Sequence, residues 1–225
     1  PTRRSSDLLV GAIDPSVSAV IIETVQGEGG VVPADADYLR GIRRICDERG
    51  MLMIVDEVQT GFARTGRWFG FQHAGVRPDV VTMAKAMGNG FPVGAVWART
   101  EVAAAFQPGD HGSTYSGTAI ATAVVSAVVA EMRRIDAPAL AEAQGAKLRA
   151  GLEAIPAVQA VRGQGLLLAA ELGEGADAKA VYTALLAKGL VTNAVTATAL
   201  RLAPPITVSD AEIDEAVAMI AEVLG

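Results

Sequence analysis

Two mostly apolar runs stand out in the first quarter of the chain, at Val17–Glu23 and Met51–Val55. Such runs are typical of strands that are buried on both faces of a parallel sheet. Between them, apolar residues recur at helical spacing over Asp37–Arg49, with Asp35 in position to cap the helix and Gly50 to end it. This succession predicts a strand–loop–helix–strand unit whose two strands run parallel.

Two further short strands are predicted at Val80–Ala84 and Gly94–Ala98, after which the pattern becomes helical. Thr118–Ile135 is typical of one long helix, and Pro138 marks its end. The apolar stretch Ala119–Ala130 predicts that this helix is buried. No apolar stretch reaches the roughly 20 residues that a membrane-spanning helix needs, so no membrane span is expected.

Short helices and strands alternate in the last third of the chain. We predict a helix at Leu140–Leu152, strands at Val158–Val161 and Leu166–Leu172, a helix at Ala178–Lys188, and strands at Leu190–Val195 and Leu200–Ala203. Ser209–Glu212 is a capping box, and it predicts a last helix whose buried stripe contains Ile213, Val217 and Ile220.

The pattern divides the chain into three parts. Residues 1–8 (PTRRSSDL) are polar and without periodicity, and they match one reading frame of a common sequencing-library adapter, so we expect them to be non-native. Residues 9–134 are expected to form part of a large, mostly parallel-sheet α/β domain that ends with the long helix. Residues 135–225 are expected to form a smaller C-terminal α+β domain.

The composition is that of a globular protein, with 51% hydrophobic and 20% charged residues. The net charge is −6 and no basic patch is present, so a nucleic-acid partner is not expected. Cys46 is the only cysteine, which excludes an intrachain disulfide and fits a reducing, cytoplasmic setting. Its place on the apolar face of a predicted helix indicates a core residue. His73 and His111 lack ligand spacing, so no metal site is expected.

Two polar residues come at the ends of apolar strands. Asp56 follows Met51–Val55 directly, and Lys85 follows Val80–Ala84 and enters a glycine-rich turn. Open α/β sheets bind their ligands at the carboxyl ends of the strands. Burial of an ammonium group is costly unless the group is paired or chemically modified, and a lysine amine that forms an imine acts as a nucleophile. One strand–loop–strand excursion separates the two residues, so both can face one crevice.

Five segments around these residues carry a resemblance to a known family. They are ETVQGEGG (23–30), DEVQTG (56–61), MAKAMGNGFPV (83–93), HGSTYSG (111–117) and RLAPP (201–205). Their order is similar to that in the class III (ω-amino) aminotransferases, which are fold-type I transferases dependent on pyridoxal 5'-phosphate. The resemblance is strongest to members acting on acetylornithine and next to those acting on ornithine. It extends from about Val17 to Gly225 and implies the C-terminal half of such an enzyme.

The resemblance implies a role for each matching residue near the cofactor. Lys85 would hold pyridoxal phosphate covalently and would then carry a proton between the substrate carbon and the cofactor. Asp56 would keep the pyridine nitrogen protonated, and Gln59 would hydrogen-bond the phenolic oxygen of the ring. Thr114 would reach the cofactor phosphate across a homodimer interface, with Ser113 nearby on the substrate side.

A second implied pair concerns the substrates. By resemblance, Arg201 binds the carboxylate of glutamate or 2-oxoglutarate, because a guanidinium makes two parallel hydrogen bonds to that planar group. Glu28 would pair with Arg201 when an ω-amino substrate occupies the site. The alternative is a purely structural salt bridge. Glu23, which ends a predicted strand, would have a supporting role only.

The chain also departs from the family pattern. Ser116 and Thr118–Ile120 replace a glycine and an Asn-Pro-Leu sequence that usually follow this Thr-Tyr pair. The family's phosphate-binding turn, its ring-stacking aromatic residue and its arginine for the acyl group of the substrate have no counterpart in this sequence. We therefore expect the chain to be inactive when it is produced alone.

These observations favour an enzyme that moves the amino group of N-acetylornithine to 2-oxoglutarate, which is a step of arginine biosynthesis. Ornithine, succinylornithine and 4-aminobutyrate are alternative amino donors. A catalytically dead paralogue or a truncated interaction module is an alternative outside catalysis. The presence of Lys85, Asp56 and Gln59 together argues against that alternative. A dinucleotide-binding domain is excluded because no G-x-G-x-x-G sequence follows a strand at a helix start.

Overall fold

The structure is a computed structural model that describes residue 11, residues 13–114 and residues 116–225. Residues 1–8, which the sequence predicts to be non-native, lie outside the described residues. By their contacts, the residues form two compact units: unit 1 extends to Thr24 and includes Ala34–Phe62 and Phe69–Arg134, and unit 2 consists of Val25–Pro33, Ala63–Trp68 and Ile135–Gly225.

Strands and helices follow one another along the whole described chain. The strands are β1 (Ala19–Glu23), β2 (Val25–Gln26), β3 (Val32–Pro33), β4 (Leu52–Asp56), β5 (Val80–Met83), β6 (Ala95–Ala98), β7 (Ala160–Gln164), β8 (Leu167–Glu171), β9 (Asn193–Ala194) and β10 (Ala199–Leu202). The helices are α1 (Ala36–Arg49), α2 (Thr100–Ala103), α3 (Ala119–Arg134), α4 (Ala137–Glu153), α5 (Ala178–Ala187) and α6 (Asp210–Leu224). Within these described residues, no helix is both long and apolar enough to span a membrane.

Unit 1 is built on a four-stranded sheet in the order β1-β4-β5-β6. β1, β4 and β5 run parallel, and β6 runs antiparallel to β5. Helix α1 connects the parallel strands β1 and β4, so the predicted strand–helix–strand unit is confirmed. This arrangement brings the carboxyl ends of β4 and β5 to one edge of the sheet.

Helix α1 begins and ends at the residues that the sequence indicates. The Asp35 carboxylate accepts hydrogen bonds from the amides of Asp37 and Tyr38 at 2.8 and 3.2 Å, and Gly50 ends the helix with a φ of 66°. The buried face of the helix includes Cys46, which is fully buried, as predicted. Burial raises the pKa of the Cys46 thiol, as expected for a cysteine that packs as a core residue.

Two apolar elements of unit 1 are less buried in this chain than their sequence patterns predict. β1 lies at an edge of the sheet and is only half-buried, and its Ile21 is 65% exposed. In α3, Ala121 and Met132 are buried, whereas Ile120 is 63% exposed. A continuous apolar sequence indicates that burial of the element is favourable. Among the described residues, however, little packs against the outer sides of these two elements.

Unit 2 has an antiparallel sheet in the order β7-β8-β10-β9, with α4, α5 and α6 in the same unit. Its core is aliphatic, and its fully buried members include Leu148, Leu152, Leu168, Leu185, Leu200, Ile213 and Ile220. The β2–β3 hairpin also belongs to this unit, although the sequence-based division assigns residues 25–33 to the preceding domain. The division of the chain at residue 134 stays a prediction.

Local signals at the helix ends of unit 2 are partly confirmed. The Ser209 amide donates to Glu212 Oε2 at 2.7 Å and the Glu212 amide to Ser209 Oγ at 3.3 Å, so the capping box forms as predicted. Pro138, which is expected to mark the end of the long helix, lies in the first turn of the next helix, α4. Its missing N–H costs nothing at that position. The strand predicted at Leu190–Val195 is reduced to Asn193–Ala194.

Candidate active site

The two strand-end residues that the sequence singles out lie on neighbouring parallel strands. Asp56 is the last residue of β4 and is paired in register with Thr82 of β5. Lys85 comes three residues after Thr82, just beyond the end of β5, and its side chain is exposed. Unit 1 therefore presents a carboxylate and an amine at the same edge of its sheet.

Lys85 has an unusual backbone conformation. Its φ is 47°, in the left-handed region that costs an ordinary L-residue free energy. A short 3-10 turn, Lys85–Met87, stabilises this conformation, since the Gly88 amide donates to Lys85 O at 3.0 Å. A Cβ at Gly88 would lie 2.3 Å from Phe91 O, so the turn also requires glycine there. The surrounding turn thus imposes the position of Lys85, as is common at functional sites.

Asp56 is followed by a tight turn. Its Oδ1 accepts a hydrogen bond from the Val58 amide at 2.9 Å, and the side chain remains half-buried. The Gly61 amide donates to Glu57 O at 2.9 Å, which folds Gln59 into a compact loop directly after β4. Gln59 is half-buried in this loop. Asp56 and Gln59 therefore both lie at the carboxyl end of β4, one as its last residue and the other in the loop that follows.

Glu57 is a residue that the sequence reasoning missed. It is 1% exposed, and its carboxylate accepts hydrogen bonds from Thr60 Oγ1 at 2.6 Å and from the amides of Gly70 and Phe71 at 2.9 Å each. Burial raises the pKa of Glu57, and the three donors oppose that effect. A charged residue directly after an apolar strand was the available signal.

Ser113 and Thr114 lie in the segment that precedes α3, and both side chains are exposed. Tyr115, which follows them in the same motif, lies outside the described residues. The predicted role of Thr114 involves a second subunit and stays a prediction. The same holds for Ser113.

Unit 2 contains the other predicted pair. Arg201 on β10 and Glu28 in the β2–β3 turn are separated by 173 positions, and Arg201 Nη1 lies 2.7 Å from Glu28 Oε1. The Arg201 side chain is 16% exposed and that of Glu28 is 71% exposed. The ion pair is thus present, with a sheltered cation and a carboxylate that faces solvent. Its role in substrate binding stays a prediction.

The residues of unit 1 fit pyridoxal phosphate by the chemistry of their groups. The cofactor has an aldehyde, a ring nitrogen and a phenolic oxygen, for which Lys85, Asp56 and Gln59 offer an amine, a carboxylate and an amide. Thr82, the register partner of Asp56, has a buried hydroxyl without a hydrogen-bond partner among the described residues. The part of the chain that the structure describes contains no cluster of three or more His, Cys, Asp or Glu side chains that could hold a metal ion.

Comparison with known proteins gives a consistent result. The family model of class-III aminotransferases matches residues 3–224. The acetylornithine aminotransferase of Caldanaerobacter subterraneus subsp. tengcongensis is 41% identical over 222 residues, which cover 97% of this chain and 56% of that protein. The chain therefore spans about half the length of the curated relatives it matches.

Solved structures show the same fold. The N-acetylornithine aminotransferase of Stenotrophomonas maltophilia has a TM-score of 0.89 at 32% identity, covering 97% of this chain and 59% of the other. An ornithine aminotransferase of Toxoplasma gondii, whose structure has partial occupancy of PLP at its active site, has the same TM-score and identity and is covered to 52%. The chain belongs to the class-III aminotransferases, a family of pyridoxal-phosphate-dependent enzymes with fold type I.

Proposed function

We propose that this chain is the C-terminal part of an enzyme that transfers the amino group of N-acetylornithine to 2-oxoglutarate, in arginine biosynthesis. The observation that carries the proposal is the placement of Asp56 and Lys85 at the ends of neighbouring parallel strands. The acetylornithine aminotransferases among the relatives support the choice of amino donor. "Whole enzyme" below means an aminotransferase that ends in residues 9–225 and is completed upstream with the corresponding part of the Caldanaerobacter relative.

The residues of unit 1 would divide the chemistry among them. Bound pyridoxal phosphate supplies an electron sink for the substrate carbon that loses its proton. Lys85 holds the cofactor and then, as a free amine, moves the proton at that carbon. The Asp56 carboxylate holds a proton on the ring nitrogen, and the Gln59 amide donates to the phenolic oxygen. Thr114 serves the cofactor phosphate of the partner subunit in a homodimer, with Ser113 on the substrate side.

The residues of unit 2 would handle substrate charge. Arg201 binds the carboxylate of 2-oxoglutarate or glutamate through its planar guanidinium. Glu28 neutralises the same guanidinium while the ω-amino donor, which presents a different group, is bound. The 2.7 Å contact between Glu28 and Arg201 supports this proposal, because it shows that the two side chains can pair. This exchange lets one enzyme accept two differently charged substrates.

Ornithine is the second candidate donor, because the Toxoplasma gondii ornithine aminotransferase matches this fold as well as the acetylornithine enzyme does. Succinylornithine and 4-aminobutyrate remain further alternatives. A catalytically dead paralogue is disfavoured by the exposed amine of Lys85 in a strained backbone conformation, since a binding-only protein has no need for it. The enzyme is expected to act in the cytoplasm.

A donor panel tests the proposal. The whole enzyme is given N-acetylornithine, ornithine, succinylornithine and 4-aminobutyrate with 2-oxoglutarate, and glutamate formation is measured for each. The highest kcat/KM is expected for N-acetylornithine. A higher value for another donor reassigns the substrate, whereas no turnover with any donor by a folded, cofactor-loaded enzyme contradicts the proposal.

A further inference from the structure

Glu28 lies in a turn with an unusual backbone conformation that contacts with the rest of unit 2 maintain. Val31, three residues further on, is fully buried and has a φ of 53°, which a β-branched residue adopts rarely. Gly30 has a φ of 108°, and a Cβ there would lie 3.0 Å from Thr196 Cγ2. A strained turn of this kind persists only where its surroundings determine it.

Apolar contacts hold the two ends of this hairpin. Val25 in β2 and Val31 before β3 are both fully buried and form one cluster with Leu167 and Ala169 of β8. Glu28, at the tip between them, faces solvent. The hairpin base is therefore fixed on the sheet of unit 2, while its tip needs a separate restraint.

Arg162 supplies that restraint. Its Nε donates to Gly30 O at 2.6 Å, and its Nη1 lies 2.7 Å from Glu171 Oε2. Arg162 and Glu171 lie on the neighbouring strands β7 and β8. A guanidinium presents its donors in one rigid plane, so a single side chain joins the carbonyl of the turn to the carboxylate of the sheet in a set geometry.

Glu171 is itself held in place. A hydrogen bond from Thr198 and then one from Arg162 lower the pKa of Glu171, so it is ionised at neutral pH. Thr198 lies in the turn between β9 and β10, directly before the strand that carries Arg201. The Arg162–Glu171 pair that restrains the Glu28 turn is thus connected, through Thr198, to the strand that carries Arg201.

We propose that Arg162, oriented by Glu171, is a positioning residue that fixes the turn so that Glu28 rests against Arg201, and that it thereby sets the balance between the two classes of substrate. This inference rests on the proposed function, in which Glu28 covers Arg201 for the ω-amino donor and leaves it for the carboxylate of 2-oxoglutarate. Arg162 acts through Glu28 and does not touch the reacting atoms.

Loss of the Arg162 restraint should change the fraction of molecules in which the turn holds Glu28 against Arg201. With Arg162→Gln, Glu28 covers Arg201 in a smaller fraction of molecules, which disfavours the donor and spares or favours 2-oxoglutarate. We expect the ratio of kcat/KM for the donor half-reaction to that for the acceptor half-reaction to fall about tenfold, the scale of one hydrogen bond to a charged group. Arg162→Lys keeps the charge without the planar fork, and it should fall between the wild type and Arg162→Gln.

The test measures both half-reactions of the whole enzyme by single-turnover absorbance for Arg162→Gln, Glu28→Gln and the double variant. If Arg162 acts through Glu28, the double variant has the same ratio as Glu28→Gln alone. Arg149→Gln is the matched control, because Arg149 binds the carbonyls of Val161 and Gly163 on the same strand β7. It should leave the ratio unchanged.

Hydrogen exchange gives a second measurement that is independent of turnover. Arg162→Gln should speed exchange of the amides of residues 27–31, and Arg149→Gln should not. Equal loss in both half-reactions, additive effects in the double variant, or unchanged exchange in the turn overturns the proposal. A ratio that responds to Glu28→Gln but not to Arg162→Gln refutes this inference alone. No response to Glu28→Gln refutes the proposed exchange at Arg201 as well.

Discussion

The amide of Gly70 donates a hydrogen bond at 2.9 Å to Glu57 Oε2, which lies thirteen positions earlier in the chain. The same carboxylate also binds Phe71 and Thr60, so it closes the loop that starts directly after Asp56. A Cβ at Gly70 would lie 2.2 Å from Thr24 Oγ1, which shows how closely the loop returns to the sheet. The surroundings of Asp56 therefore depend on a buried acidic neighbour.

Glu57→Gln should lower the free energy of unfolding of the whole enzyme by about 1–3 kcal/mol, because the amide NH2 would face an N–H donor and leave it unsatisfied. Urea denaturation at neutral pH measures the difference. Glu48→Gln, at an exposed position of α1, is the control and should change stability by at most about 0.5 kcal/mol. Equal stability of Glu57→Gln and wild type would show that the loop closes without this carboxylate.

Lys85 should be the residue that binds the cofactor covalently. Borohydride reduction of the whole enzyme loaded with pyridoxal phosphate fixes the lysine–cofactor bond, and peptide mass mapping then locates it. We expect the label on Lys85, where the turn imposes the exposed amine. A label on Lys147, Lys179 or Lys188 instead would remove Lys85 from the proposed mechanism.

Asp56→Asn should impair proton transfer much more than cofactor binding, because a neutral amide does not stabilise a protonated ring nitrogen. A loss of about 2–4 kcal/mol in transition-state stabilisation is the scale of one well-placed electrostatic partner. Turnover of the loaded enzyme and the dissociation constant of the cofactor are measured side by side. Near-normal turnover with the cofactor bound would reduce Asp56 to a turn residue.

Glu171 should contribute to stability in a pH-dependent way. Its pKa in the folded state lies below the ordinary value of 4.5, so its contribution is present above that value and is lost as the pH falls through the folded-state pKa. Glu171→Gln should therefore flatten the acid side of a plot of urea midpoint against pH. Glu174→Gln, at an exposed position nearby, should leave the slope as in the wild type. An unchanged slope in Glu171→Gln would contradict the assignment.

The 225-residue chain, expressed alone, should collect in the insoluble fraction and should not bind pyridoxal phosphate. Ile21 on the edge strand β1 and Ile120 on α3 are more than half exposed, and exposed apolar edges of this kind promote aggregation. Fractionation of the lysate and the absorbance spectrum of any soluble product measure the outcome. A soluble, monodisperse chain that transaminates would show that it is a complete functional unit.

Features with local causes could be predicted from the sequence. The caps of α1 at Asp35 and Gly50 and the capping box at Ser209 depend on residues within a few positions, and each is present. The strand ends at Asp56 and near Lys85 follow from the apolar runs before them. Five motifs in order added the family, which neither periodicity nor composition indicates.

Features that depend on distant neighbours could not be predicted. Whether both faces of β1 are buried depends on which elements pack against it. The apolar sequence around Ile21 indicates only that burial is favourable. The bond between Arg162 and Gly30 joins residues 132 positions apart, and nothing in the local sequence of either indicates the other. Glu57 is similar, since its burial depends on the return of the chain at Gly70.

Unit 2 combines residues 25–33 with residues 135–225, and this has a consequence for the order in which the protein folds. A ribosome adds about 5–20 residues per second, so roughly 10–30 s pass between synthesis of the β2–β3 hairpin and that of β10. During most of that interval Val25 and Val31 have been made but Leu167 has not, so the strained turn has no sheet to hold it. Among the proposed site residues of this chain, Glu28 is thus the first to leave the ribosome and one of the last to reach its place.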